Sequence, residues 1–349
     1  MKILKIILTT LLMGFLIFSI GMFLFIKYSF DQTFHRTAIP EYSAYLLYSD
    51  VEDRYSRELL RFPSGRNTLQ GYLYGADNQG GLVVISHALG GGAEGYMAET
   101  VYFVDHGYQV FAFDNTGCRR SEGKNCVGLP QSALDLDAAL TYLEEQSRFD
   151  GLPVFLYGHS WGGYAVTAVL QFDHEVAAAV SVAGFNDPMD MLLEWNTASL
   201  GPLAYVEHPY ILLYHLALFG RNATLSALDG INSTRTPVLL IHGDADDVVD
   251  PQGAGTVSLR ERIFNPNAAC LIRSEPRQNG HANLFLSLDA QDYSREVHDA
   301  HQQLSQECGG QIPEEVDRAF YEGVDSARMS GLDLDRMGTV LAFFQQAAG

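Results

Sequence analysis

A serine enclosed by glycines is the residue pattern in this chain that most directly suggests chemistry. Residues 154–164 read V-F-L-Y-G-H-S-W-G-G-Y, which places Ser160 between Gly158 and Gly162 directly after an apolar run. A strand that turns sharply into a helix at such a serine exposes the hydroxyl, and glycines let the strand and the helix approach each other. The pattern alone is weak evidence, but a strand is predicted before it and a helix after it. We therefore predict that Ser160 is a nucleophile on a strand–turn–helix.

A serine hydroxyl needs a base to become a nucleophile, and the base needs an acid to orient it. His281 is the candidate base, because it lies in the loop N-G-H after the last predicted strand. Residues 241–249 read I-H-G-D-A-D-D-V-V and supply acids at the end of the preceding strand. The candidates for the orienting acid are Asp244, Asp246 and Asp247.

These residues must be positioned by the elements between them, and apolar runs alternate with helical patterns along the chain. An antiparallel hairpin is predicted over 57–62 and 68–74. Strands are predicted over 82–86, 109–113, 154–157, 177–182, 237–242 and 268–272. Helices are predicted over 95–105, 132–146, 161–171, 253–263 and 335–347. This order predicts the α/β class, a mostly parallel twisted sheet flanked by helices.

Two segments interrupt the alternation of strands and helices. Residues 184–235 are helical and aromatic, and are too long for an ordinary crossover, so we interpret them as a helical lid insertion. Residues 289–329 form a second, more polar helical insertion. We therefore predict one domain over 55–349, preceded by a linker over 31–54.

Five motifs in this order resemble those of the α/β-hydrolase superfamily, within its serine-aminopeptidase-like and monoglyceride-lipase-like branch. The resemblance covers about residues 55–349, apart from much of the two insertions. The motifs are S-H-A-L-G-G-G at 86–92, D-N-T-G-C-R-R-S-E-G at 114–123, G-H-S-W-G-G at 158–163, H-G-D-A-D at 242–246 and G-H at 280–281.

The resemblance implies a role for particular residues. Ser160 corresponds to the nucleophile, His281 to the general base and Asp246 to the acid, while Asp244 and Asp247 remain alternatives for the acid. The family's oxyanion hole implies the backbone amides of two residues, and no cofactor or metal is expected. These oxyanion residues are Leu89 and Trp161.

The chain departs from the family pattern at two positions. Ala88 stands where a glycine usually follows the histidine, and Arg119 stands where a second glycine is common. Arg119 is expected either to pair with surface acids or to meet an anionic group of the substrate. The remaining motif histidines are expected to brace loops rather than to react; these are His87, His159 and His242.

The N-terminal segment differs in composition from the rest of the chain. Ile6–Ile26 has no charged residue and is long enough to cross a bilayer as a helix, which takes about 20 residues. A cleaved signal peptide has a shorter apolar region and ends in small residues, so an uncleaved transmembrane anchor over 1–30 is favoured. Lys2 and Lys5 precede the span and favour an N-terminus inside the cell, with the catalytic domain outside the cytoplasm.

The charge and the cysteines exclude some partners and leave other questions open. A net charge of −20 repels phosphate backbones, so nucleic acid is not an expected partner. The four cysteines show no zinc-binding spacing. Outside the cytoplasm they permit disulfides, with Cys118–Cys126 the preferred pair, whereas a reducing compartment would keep them as thiols.

Together these features predict a membrane-anchored serine hydrolase that cleaves an ester, thioester or amide of a small to medium acyl substrate. Two alternatives stay open: a serine-aminopeptidase-type peptidase, and a non-catalytic binding protein on a hydrolase fold. A peptidase would need an acid near the lid to hold the substrate amine. The acids available there are Asp187, Asp190, Glu194 and Glu207.

Overall fold

A computed structural model of the protein describes residues 1–39 and 42–349. Its centre is an eight-stranded sheet in the order β1-β2-β4-β3-β5-β6-β7-β8. The strands are β1 (Arg57–Ser64), β2 (Asn67–Tyr74), β3 (Leu82–Ser86), β4 (Gln109–Phe113), β5 (Val154–His159), β6 (Ala178–Val182), β7 (Val238–Gly243) and β8 (Ala268–Arg273).

The pairing of the strands confirms the α/β class. β1 and β2 form the antiparallel hairpin, and β2 pairs antiparallel with β4. All remaining pairs, from β4–β3 to β7–β8, are parallel. β3 lies between two neighbours with every residue buried, which is why its sequence is a short run of apolar residues rather than an alternating one.

Helices cover both faces of the sheet. The helices are α1 (Lys2–Thr33), α2 (Met97–Asp105), α3 (Gln131–Glu144), α4 (Trp161–Ala168), α5 (Pro188–Leu200), α6 (Ala204–Phe219), α7 (Ala227–Ser233), α8 (Leu288–Glu307), α9 (Glu314–Glu322), α10 (Ser326–Met329) and α11 (Leu334–Ala348). Val84 of β3 packs in one apolar core with α3 and α4, whereas its neighbour Val83 packs in the other with α2 and α11. Successive side chains of a strand point to opposite faces, so the chain fills two cores from one sheet.

The N-terminal helix α1 runs past the predicted boundary between anchor and linker. It ends at Thr33, and Ile26, Phe30 and Phe34 are buried in the same core as α3 and α4. Residues 1–18, in contrast, are exposed. In the part of the chain that the structure describes, α1 is the one helix long and apolar enough to cross a membrane; a signal sequence at the N-terminus would have the same properties.

The region predicted as a linker makes specific contacts directly after α1. His35 forms an antiparallel bridge with Asn125, and Thr37 forms a parallel bridge with Cys118. The predicted lid over 184–235 holds α5, α6 and α7, and the second predicted insertion holds most of α8 with α9 and α10.

Two local predictions differ from the structure. Residues 253–263 were expected to form an α-helix, but only a 3₁₀-helix forms over Thr256–Arg262, because the amides of Gly253 and Gly255 both turn back to the carbonyl of Asp250. Cys118 and Cys126, the preferred disulfide pair, are both thiols, with their buried Sγ atoms 3.3 Å apart.

Candidate active site

Ser160 occupies a strained turn between β5 and α4. Its backbone angles are φ 57° and ψ −115°, a conformation that costs a residue with a side chain about 1–3 kcal/mol. The turn is held by its surroundings: the amide of Ser160 donates to the carbonyl of Val182 at 2.8 Å. A Cβ atom on Gly162 would lie 1.9 Å from the carbonyl oxygen of Ser86, so only glycine allows α4 to start this close to β3.

The structure brings Ser160, His281 and Asp246 together in one chain of hydrogen bonds. Nε2 of His281 lies 2.9 Å from Oγ of Ser160. Nδ1 of His281 lies 2.8 Å and 3.0 Å from the two carboxylate oxygens of Asp246. With Nδ1–H donating to the carboxylate, Nε2 is free to accept the proton of the serine hydroxyl.

Asp246 is the acid that reaches the histidine because it lies inside the turn after β7. Its side chain is fully buried, and its Oδ1 accepts hydrogen bonds from the amides of Val248 and Val249 at 3.0 Å and 2.9 Å. Nε2 of His242 lies 3.2 Å from Oδ2. Burial alone would raise the pKa of Asp246, but the hydrogen bonds from His242, His281 and Val249 outweigh it and hold the pKa well below its ordinary value.

The two alternative acids point away from the histidine. Asp244 and Asp247 are both exposed. Asp244 accepts a hydrogen bond from Nδ2 of Asn279 at 2.6 Å, so it stabilises the loop that carries His281 without touching the imidazole.

This loop reaches Asp246 through a close contact of two backbones. A Cβ atom on Gly243 would lie 2.0 Å from the carbonyl oxygen of Asn279, which shows why glycine ends β7. The same carbonyl accepts the amide of Ala245 at 3.0 Å. The amide of Gly280 in turn donates to Oδ1 of Asn283 at 2.8 Å. The loop that carries His281 is therefore held by a main-chain bond at Asn279 before it and by the side chain of Asn283 after it.

The two residues predicted for the oxyanion hole follow the ends of β3 and β5. Among residues 1–39 and 42–349, no acceptor lies within hydrogen-bonding distance of the backbone amide of Leu89 or Trp161. The neighbouring amide of Ala88 is occupied, because it donates to the hydroxyl of Tyr96 at 3.1 Å. Trp161 directly follows the serine, and Leu89 lies in the loop after β3, whose last residue Ser86 pairs with Gly158 of β5.

Tyr96 belongs to the site although the sequence analysis did not identify it. Its hydroxyl lies 3.0 Å from Nδ1 of His159, whose Nε2 lies 3.0 Å from the carbonyl oxygen of His281. Burial lowers the pKa of His159 to about 4, and the nearby His281 makes a smaller contribution in the same direction. His159 therefore braces the histidine loop as a neutral ring. Tyr96 lies in a 3₁₀-helix, and neither its type nor its spacing signals this role.

A cavity of about 260 Å³ adjoins the histidine. Glu99 of α2 lines it, together with Tyr157 and Phe285. Burial raises the pKa of Glu99 to about 7. Across the described ranges, no cluster of three or more His, Cys, Asp or Glu side chains could hold a metal ion.

Part of this chain matches a known sequence family. Residues 77–215 match the family described as serine aminopeptidase, S33. The polyketide transferase grgF of Penicillium sp is 28% identical over 123 residues, which are 34% of this chain and 42% of that protein. The quorum-quenching protein AidA of Acinetobacter baumannii (strain MDR-ZJ06) is 29% identical over 120 residues, 33% of this chain and 39% of that protein. The match therefore spans about two fifths of the length of these curated relatives.

Solved structures extend the similarity over most of the chain. The Pyrococcus furiosus esterase Pf2001 superimposes with a TM-score of 0.54 at 19% identity, covering 78% of this chain and 98% of that one. At this identity the similarity shows the fold. The sheet order, the family match over residues 77–215 and the superposition agree that the chain has the α/β-hydrolase fold.

Proposed function

We propose that the protein is a membrane-anchored serine hydrolase that cleaves an ester, thioester or amide of a small to medium acyl substrate. The observation that carries the proposal is the hydrogen-bonded chain from Ser160 through His281 to Asp246, at a turn held in a strained conformation. Strain of this kind is retained where a side chain has to be presented in one geometry.

Each step of the proposed reaction uses an atom already in place. Nε2 of His281 takes the proton as Oγ of Ser160 attacks the carbonyl carbon, and the carbonyl π electrons move to its oxygen. The amides of Leu89 and Trp161 are the donors for that oxyanion. When the tetrahedral intermediate collapses, His281 returns the proton to the leaving group, and Ser160 keeps the acyl group.

Water completes the cycle by hydrolysing the acyl-enzyme, with His281 again transferring the proton. His281 takes a proton from the water as its oxygen attacks the acyl carbon, and then returns a proton to Oγ of Ser160 as the acid leaves. Asp246 stays ionised throughout, because its hydrogen bonds hold its pKa low, and it stabilises the imidazolium that forms in each step.

The anchoring part of the proposal rests on α1. Residues 6–26 of this helix are uncharged and have the length and composition of a membrane span. Lys2 and Lys5 before the span favour an N-terminus inside the cell, which would put residues 35–349 outside the cytoplasm.

A fluorophosphonate probe tests the enzymatic part. The full chain in detergent, a Ser160→Ala variant, a heat-denatured sample and the control variant Ser305→Ala on α8 are treated with the probe, and the labelled residue is found by mass spectrometry. We expect labelling of the native chain and of Ser305→Ala, at Ser160. A folded native chain that takes up no label would contradict the proposal in favour of a binding protein. Ser160→Ala with undiminished hydrolysis would contradict it by assigning the nucleophile to another residue.

The peptidase alternative is favoured by the description of the matched family. Two of the four acids available near the lid are already engaged in the fold: Asp187 caps α5 by accepting the amide of Met189 at 2.7 Å. Glu194 accepts the amides of Asp250 and Ala254 at 3.0 Å and 2.7 Å. Aminoacyl esters and anilides, each with a free and an acetylated amine, separate the two functions. A peptidase would prefer the free amine, and an esterase would not.

A further inference from the structure

We propose that helix α6 is embedded in the surface layer of the membrane that α1 crosses, so that α1 and α6 form one lipid-facing unit. This inference rests on the proposed function only in taking α1 as a membrane span. It is drawn from the packing of the two helices and from the residues that α6 exposes.

The two helices meet along the C-terminal half of α1. Oγ of Ser19 lies 3.0 Å from the hydroxyl of Tyr210 on α6, so the two polar groups satisfy each other within an apolar contact. The rings of Phe18 and Phe23 lie 6.2 Å and 5.6 Å from the ring of Tyr210, both edge-on.

The contact continues to the end of α1. The ring of Phe30 lies 5.0 Å from that of Tyr214 and 5.3 Å from that of His215. Aromatic pairs in this geometry stabilise beyond the area that they bury. α6 thus contacts α1 from Phe18 to Phe30, which is about three turns of α1.

The length of α1 places this contact at the edge of the bilayer. Only residues 2–17 precede the first ring contact, and at ~1.5 Å per residue they span about 24 Å. The hydrocarbon core is about 30 Å thick. A crossing by α1 must therefore use residues beyond Phe18, and those residues carry α6 with them into the outer edge of the membrane.

The outward face of α6 has the amino-acid composition of a lipid-facing surface. Every exposed residue of this helix is uncharged, although the whole chain has a net charge of −20. Tyr205 is 64% exposed and Leu213 53%, while Glu207, the one acid of the helix, is half-buried. Tyrosines are enriched where a membrane meets water. The exposed residues are Tyr205, Val206, Pro209, Leu213, Leu216, Ala217 and Leu218.

A lipid bilayer is the occupant that satisfies both helices at once. The exposed N-terminal part of α1 and the outward face of α6 are continuous through the contact at Tyr210. Contiguous exposed apolar residues on a protein surface mark an interaction site. Because the bilayer already surrounds one end of the surface, it covers the other end without a further partner.

Polarity-sensitive labels on the full chain test this inference. In a Cys270→Ser, Cys308→Ser background, Tyr205→Cys and Leu213→Cys each receive a fluorescent label, and each chain is placed in phosphatidylcholine nanodiscs at one copy per disc. Thermal unfolding verifies that each variant is folded. We expect blue-shifted emission, quenching by nitroxide-bearing lipid and little quenching by aqueous iodide.

Two control positions calibrate the result. Phe15→Cys, on the exposed part of α1, reports the membrane span, and Leu59→Cys, which is 55% exposed on β1, reports water. Labels on α6 that are quenched by iodide as at Leu59, with Phe15 shielded, would overturn the inference and leave the anchor intact. A label at Phe15 that is itself open to iodide would overturn both. Shielding of the α6 labels without quenching by nitroxide lipid would indicate protein contact and also overturn the inference.

Discussion

Nε2 of His159 donates a hydrogen bond to the carbonyl oxygen of His281 over 3.0 Å. A carbonyl only accepts, so Nε2 carries the hydrogen and Nδ1 accepts from the hydroxyl of Tyr96. That hydroxyl accepts in turn from the amide of Ala88. One chain of hydrogen bonds therefore joins the loop that contains Leu89 to the loop that carries the proposed base.

Removing the Tyr96 hydroxyl should lower turnover without unfolding the protein. In Tyr96→Phe the amide of Ala88 loses its acceptor and Nδ1 of His159 its donor, and an unsatisfied buried group costs about 1–3 kcal/mol. We expect kcat on a p-nitrophenyl ester to fall about 10-fold. Tyr102→Phe on the adjoining helix α2 is the control, because within residues 1–39 and 42–349 its hydroxyl has no hydrogen bond to lose. An unchanged kcat in Tyr96→Phe would show that the chain of bonds does not position the site.

His159 should make the fold sensitive to mild acid. Its pKa is about 4 in the folded protein and 6.5 in a free side chain, so between these values the unfolded chain binds a proton that the folded one does not. Stability therefore falls as the pH drops through this window. By pH 5 the loss from this group is about 2 kcal/mol, and His159→Gln removes it.

Urea unfolding at pH 7.5 and pH 5 measures this effect. The wild type should lose about 2 kcal/mol more than His159→Gln between the two values, while the exposed control His106→Gln should follow the wild type. Equal losses in the wild type and His159→Gln would mean that His159 is not held neutral by the fold.

Glu99 should make the folded protein less stable as the pH rises, which is opposite to the effect of His159. Its pKa is about 7 in the folded protein and 4.5 in a free side chain, so folding takes up a proton, and stability is lost as the pH rises from 4.5 through 7. Glu99→Gln should therefore be more stable than the wild type at pH 8, by up to about 3 kcal/mol, with the gain shrinking towards pH 5. Glu145→Gln, an exposed acid, serves as the control. A gain of the same size at both pH values would point to packing rather than charge.

Asp246→Asn should lower kcat far more than the same substitution at the neighbouring acids Asp244 and Asp247. The amide cannot stabilise an imidazolium as the carboxylate does, and the same change in serine proteases of the triad type costs on the order of 10⁴ in kcat. We expect a loss on the order of 10³–10⁴ with Asp246→Asn and little change with Asp244→Asn or Asp247→Asn, both exposed. Ester hydrolysis by the three folded variants tests this. A comparable loss in Asp247→Asn would assign the acid differently.

The last turns of α1 should be required for a stable domain. Ile26, Phe30 and Phe34 are buried in the central core, and each such side chain stabilises by about 1.5–3 kcal/mol. Deleting residues 2–35 should therefore lower the thermal midpoint strongly, whereas deleting residues 2–17 should leave it nearly unchanged. Thermal unfolding in the same detergent compares the two. Equal midpoints would show that the contact adds nothing to stability.

The central strands could be located along the chain because their residues are buried on both faces of the sheet. Leu82–Ser86 is a short apolar run for that reason. Ser160, Asp246 and His281 could be selected because each follows a strand end at which parallel strands present their loops together. The choice of Asp246 over Asp244 and Asp247 came from the family resemblance, since the spacing alone fits all three acids.

Other features depend on contacts between distant residues and leave no periodic signal. Tyr96 reaches His159 across the sheet, and its surroundings in the sequence resemble those of any buried tyrosine. The apolar run ends at Ile26, but helix α1 continues to Thr33 with Lys27 on its exposed side, so composition does not mark the end of this helix. Packing against α6 and the core decides which residues of α1 are buried, and the sequence of α1 alone does not show this.

The bridge between His35 and Asn125 follows the end of α1 with no free chain between them. A flexible tether would let a catalytic domain tumble and search a volume above the membrane. Here α1 is packed against the domain up to its last turn, so the proposed anchoring would hold the proposed nucleophile Ser160 at one height and one tilt relative to the lipid surface. A protein anchored in this way would search in two dimensions, by lateral diffusion, and would encounter only those acyl groups that reach that single depth.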